Sequence, residues 1–88
     1  MKKIYPTTKW AKLPPKYELV SIQIAKVREE FTEMWAATSI DGTIEELIDT
    51  EHAIQGALEM FDKLGYDVDE IRERVIKKNR ERGYYEGV

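Results

Sequence analysis

Apolar side chains recur along this chain at helical spacing. From Tyr17 they fall at Tyr17, Val20, Ile24, Val27, Phe31 and Met34, the alternating three- and four-residue step of a helix that offers a seam to partners. Leu19 and Ile22 lie on a second side, so burial over a broad arc is expected. The run "SIDGT" at 39–43 supplies turn chemistry and closes this helix near Ser39. Thr43, with Glu46 three residues on, reads as an N-cap with its capping box. Ile44, Leu47, Ile54, Leu58, Phe61 and Leu64 then carry a second helix to a stop at Gly65. Asp67 and Glu70 form a second box, opening a third helix through Val68, Ile71, Val75 and Ile76 to Gly83. Its last turns hold "KKNRER", cations that the helix dipole favours. The pattern predicts three helices of about 23, 22 and 16 residues. Residues 1–15 contain all three prolines and read as an extended arm, with Pro15 suited to a first helical turn. The expected fold class is all-α: a three-helix chain whose first two helices form a long antiparallel hairpin.

Composition narrows this further. Eighty-eight residues make one domain, divided here into the arm, 1–15, and a single helical domain, 16–88. A chain this short buries only about 60% of its unfolded surface, which makes self-association a natural supplement. No apolar run approaches the roughly 18 residues of a membrane span, and Lys2 and Lys3 have no apolar stretch behind them to form a secretory signal. There is no cysteine, which excludes disulfides, thiolate metal sites and cysteine nucleophiles. The net charge of −3 speaks against general nucleic-acid binding. A cytoplasmic protein is the default expectation.

The acidic residues carry the sharper signal. Glu30 and Glu33 sit one turn apart, separated by roughly 60° around the helix axis, on the side shared with Leu19, Ile22 and Ala37. Glu46 and Asp49 are likewise one turn apart, and their side continues into Ala53, Gly56, Ala57 and Met60, mostly small residues that admit a helix or ligand closely. If the two helices pack antiparallel about Ser39–Gly42, the pairs face each other and repel unless neutralised. A hard divalent cation does that, and Mg²⁺ prefers oxygen ligands at about 2.0–2.1 Å. One E-x-x-E pair on a helix is ordinarily a solvated face; two on consecutive helices, beside small and apolar residues, are less ordinary.

The run Glu29-Glu30-x-x-Glu33, twelve residues, then Glu46-x-x-Asp49 resembles the E-E-x-x-E … E-x-x-D motif of the MazG-like all-α nucleoside triphosphate pyrophosphohydrolases. The ending "IKKNRERGYY" is similar to that family's basic last helix followed by Gly and Tyr. The resemblance covers roughly residues 17–85; the arm lies outside it. It implies hydrolysis of an NTP or dNTP to the monophosphate and pyrophosphate with Mg²⁺, or Mn²⁺ in its place. It implies Glu30, Glu33, Glu46 and Asp49 as metal ligands, and Glu29 as a catalytic carboxylate that holds a further metal or orients the attacking water. It also implies a four-helix core built from two chains, in a homodimer or homotetramer. The chain departs from the family at His52 and Ala53, where a bulky or aromatic residue is usual, so no base preference carries over.

Phosphoryl transfer asks for positioned metals, a positioned water and cations for the leaving group. Lys78, Asn79 and Arg82 are the candidates for phosphate contacts, Lys78 and Arg82 sharing a face at i, i+4; a solvated helix end accounts for them equally well. His52, the one histidine, reads as an ordinary partly exposed residue, Lys26 as a counter-charge to the acids, and Trp35 as core or dimer contact. Trp10 either stacks on a base or caps the bundle, with capping favoured. Tyr84 and Tyr85 either close over a nucleotide or pack on a neighbour. Two further functions compete with the enzyme. A non-catalytic helical dimerisation or interaction module would keep the seam without needing all five acids, and a nucleic-acid binder would rest on "KKNRER" alone.

Overall fold

The computed structural model describes residues 1–87, and among these there is no strand. A 3₁₀ turn at Trp10–Lys12 precedes three helices: α1, Tyr17–Ala36; α2, Ile40–Lys63; and α3, Val68–Glu81. The fold is all-α as expected, with helices of 20, 24 and 14 residues. No helix of the described residues is long and apolar enough to cross a membrane. Val88, the last residue of the expected domain, lies outside the described residues.

The helix ends follow from local chemistry, with two departures from expectation. Pro15 lies outside α1, which begins at Tyr17 after an extended Lys16 that has no side-chain cap bond. The second helix starts at Ile40, earlier than the Thr43 cap predicts. Ser39 is its N-cap, the Oγ accepting from the Gly42 N–H at 3.0 Å. A Cβ at position 42 would stand 3.0 Å from that Oγ, so glycine here gives the cap its room. Thr43 instead donates its hydroxyl to the Ser39 carbonyl at 3.0 Å. The connection is thus only Ala37–Ser39, and Glu46 is released from a capping role.

The other signals hold. Gly65, at φ +99, ends α2 with Gly65 N–H on the Asp62 carbonyl and Tyr66 N–H on the Phe61 carbonyl. This is a Schellman closure, with Tyr66 edge-on to Phe61 as its apolar contact. Gly83, at φ +76, repeats the closure on Arg80 and Asn79. Asp67 caps α3 by accepting from the Glu70 N–H at 3.0 Å.

α1 and α2 make the one extensive helix pair. The small stripe Ala53, Gly56, Ala57 and Met60 is buried against α1. Gln23 reaches across to donate to the Ala53 carbonyl at 2.9 Å, and a Cβ on Gly56 would come within 3.0 Å of the Gln23 amide. The α1 face turned inward is therefore Val20, Gln23 and Glu30, rotated by roughly 60° from the predicted seam at about 100° per residue. Tyr17, Ile24 and Phe31 of that seam are exposed, and Trp35 is not core but 76% exposed. The physical reason is that polar Gln23 and acidic Glu30 bond across or beside the helix contact, leaving the strongest apolar stripe outward. Ile44, Leu47, Ile48 and Ile54 of α2 are also exposed. α3 leans away, leaving an apolar cleft of about 590 Å³ lined by Leu58, Phe61, Tyr66, Ile71 and Val75. The radius of gyration, 15.0 Å, exceeds the roughly 12 Å of a compact chain this long.

The arm is docked, not free. Gln55 of α2 grips its backbone, accepting from the N–H groups of Ile4 at 2.9 Å and Tyr5 at 3.0 Å and donating to the Tyr5 carbonyl at 2.8 Å. Farther along, Ala11 is buried and its carbonyl accepts from the Lys63 ammonium. Ala11, not Trp10, caps the bundle there; Trp10 stays 47% exposed. Tyr84 and Tyr85 also remain exposed, at 65% and 40%.

Candidate metal centre

The early start of α2 decides the geometry at its first turns. With Glu46 free of a capping bond, it faces Glu30 and Glu33 across the α1–α2 contact, and one carboxylate oxygen from each lies within 4.8 Å of the others. Glu30 is buried, Glu46 half-buried and Glu33 exposed. Glu33 and Glu46 line an open recess beside the Ala37–Ser39 turn. Glu30 and Asp49 line a second, of about 210 Å³, whose other walls include Lys26, His52, Thr8 and Trp10. The acids form the partition between the two.

Electrostatics divides the cluster. The Lys26 ammonium, 2.9 Å from Glu30, holds the Glu30 carboxyl below its ordinary value; burial opposes this, and hydrogen bonding with Glu33 and Glu46 reinforces it. Glu46 is pushed up, first by burial and then by the charges of Glu33, Asp49 and Glu30. Its Oε2 is a buried atom with no hydrogen-bond partner among the described residues. Such a group costs stability unless something electropositive meets it. A Glu46 proton is one answer and a cation is another.

The donor set fits the second answer. All three ligands are carboxylate oxygens, the preference of a hard divalent ion. Oxygens around an octahedral ion at about 2.1 Å stand roughly 3.0 to 4.2 Å apart, so a 4.8 Å spread needs only a small inward movement.

Of the four ligands expected, three converge, while Asp49 joins through its charge on Glu46 and the recess it shares with Glu30. Glu29 is exposed on α1, where its charge acts on Lys26. Lys78, Asn79 and Arg82 lie at the far end of α3, and no hydrogen bond or ion pair joins them to the acids among the described residues. There the Lys78 and Asn79 carbonyls accept from the Arg82 and Tyr84 N–H groups and close the helix. Lys26 is the counter-charge that the sequence suggested. His52 stacks on Tyr5 with ring centroids 4.9 Å apart, and its Nε2 lies 3.3 Å from the Pro6 carbonyl oxygen. Thr8 carried no sequence signal, because the arm reaches this wall only through contacts about fifty residues apart.

Compared with family models, curated proteins and solved structures, the chain matches none.

Proposed function

We propose that this chain is a Mg²⁺-dependent nucleoside triphosphate pyrophosphohydrolase of the MazG-like kind, using Mn²⁺ where Mg²⁺ is scarce, and working as a homodimer or homotetramer. The convergence of Glu30, Glu33 and Glu46, with an unpartnered Glu46 oxygen among them, carries the reading. These three residues and Asp49 would hold the metal. When bound, the ion neutralises charge on the triphosphate and on the departing pyrophosphate. The chain's own residues do the rest. The antiparallel α1–α2 hairpin fixes the carboxylates at one end. Glu29 takes or orients the proton of the attacking water as the link between the α- and β-phosphates breaks. Were Glu30 to hold the ion, the Lys26 ammonium it now pairs with would be free to face phosphate.

Lys78, Asn79 and Arg82 are assigned to the pyrophosphate end. Self-association through the exposed Ile24, Phe31, Trp35, Leu47 and Ile54 side chains is the means of bringing a second copy's α3 to the site. The test is pyrophosphate release from a panel of NTPs and dNTPs, with and without Mg²⁺, beside Glu33→Gln and Asp49→Asn, with the oligomeric state read by sedimentation. Metal-dependent turnover that vanishes in both folded variants is expected. A folded oligomer that releases no pyrophosphate from any nucleotide would end the reading and leave an interaction module.

A further inference from the structure

The recess lined by Glu30 and Asp49 is lined by the arm as well. Thr8 and Trp10 form its wall, with His52 of α2 beside them. Both arm residues lie between two fixed points. On one side the Gln55 amide makes three bonds to the backbone of Ile4 and Tyr5, and His52 stacks on the Tyr5 ring. On the other, Ala11 is 1% exposed and tied by its carbonyl to Lys63. A span of five residues between such anchors has little freedom, so Trp10 is held where it stands, with 47% of its surface open.

We infer that the arm is the base-stacking wall of the site, with Trp10 stacking on the nucleobase, while Glu33 and Glu46, which line the neighbouring recess, take the phosphates through the metal. This binding role rests on the hydrolase reading above. A recess of about 210 Å³ is below the roughly 300 Å³ at which pockets for whole drug-sized ligands begin, which suits a single planar heterocycle. Stacking explains why an aromatic surface is left open beside a site for anions. Gln55 is the positioning residue, acting on the base only through the arm.

The test uses the full chain with Trp35→Phe, which leaves Trp10 as the one tryptophan. Nucleoside monophosphates are titrated without divalent metal while Trp10 emission is followed, with ribose 5-phosphate and inorganic pyrophosphate as probes lacking a base. Saturable quenching by at least one monophosphate and by neither baseless probe is expected. Trp10→Ala should lower kcat/KM about tenfold, mainly through KM, with metal dependence unchanged. Gln55→Leu should weaken quenching for every base, with helical content intact. Turnover that continues while Trp10 emission ignores every nucleotide, or Trp10→Ala kinetics unchanged on every base, would overturn the wall and spare the hydrolase. Quenching with no pyrophosphate release under Mg²⁺ would keep the wall and overturn the hydrolase. Neither quenching nor release would remove both.

Discussion

At the end of the α1–α2 contact farther from the Ala37–Ser39 turn, Gln23 presses against Gly56 and bonds the Ala53 carbonyl, and the Tyr17 and Tyr66 hydroxyls meet at 3.1 Å. At the turn end the same two helices face each other with Glu30, Glu33 and Glu46. One end is closed by small residues and a hydrogen bond across the helix pair. The other holds like charges and an unpartnered oxygen. The contrast shows where each task lies: the closed end fixes the helix pair, and that fixation obliges the acids to converge although they repel. A substitution at one end should therefore separate stability from activity in the opposite sense from a substitution at the other.

The largest expected effect is at the open end. Glu46→Gln should lower pyrophosphate release at least about 100-fold, the upper range seen even for residues that merely support metal ligands. The same change removes a carboxylate that is costly to ionise, so the metal-free protein should melt higher. Calorimetry without divalent ions, run beside the activity assay, checks both signs; a variant that melts lower would show the cluster to be structural. At the closed end the expectation reverses. Gly56→Leu forces a side chain into the Gln23 amide and should destabilise by about 1–3 kcal/mol, as overpacking does. A melting point about 4–8 °C lower per kcal/mol would register it in a chain of this length, with metal still required for whatever activity remains. Ser39→Ala lies at the hinge between the two tasks. Loss of its cap should cost about 1 kcal/mol and let the first turn of α2 fray, weakening Mg²⁺ binding more than it lowers the melting point of the metal-free chain.

These substitutions also mark how far the sequence could be read. Gly65, Gly83 and Asp67 were legible because each closure lies within a few residues of its cause. Ser39 was not. Thr43 has the glutamate three residues on that marks a capping box, but the Ser39 oxygen reaches Gly42 first, and Glu46 faces α1 instead. The convergence of three acids followed from helix periodicity plus one assumption about how the helices meet. The apolar seam was legible as a stripe but its cover was not, because periodicity identifies an apolar face without saying whether this chain or a partner buries it. Ile24 and Phe31 are exposed while Gln23 and Glu30 face inward. The arm was legible only as an extended segment, and its docking was not. Its grip depends on Gln55, a polar residue that looks solvated until Ile4 and Tyr5 arrive from fifty residues away.

The smallest effect is the most discriminating, because it separates two neighbours by sign. Glu30 is depressed below 4.5 by Lys26; its contribution to stability is present above the unfolded pKa and lost as pH falls through the folded value. Glu46 is raised above 4.5 by burial and by Glu33, Asp49 and Glu30; its contribution is full below the unfolded pKa and lost as pH rises through the folded value. The two oppose each other across the carboxylate range, so the slope of stability against pH from this pair should be shallow in the metal-free chain. Glu46→Gln leaves Glu30 alone, and stability should then rise more steeply with pH through that range. A bound cation favours the ionised Glu46, so the gain in melting temperature from Mg²⁺ should be full near neutral pH and shrink as pH falls through the raised Glu46 value. Melting curves with and without Mg²⁺ across the carboxylate range read all three slopes. A Mg²⁺ gain that did not depend on pH would mean that the ion binds away from Glu46, and the open end of the helix pair would lose its claim to the metal.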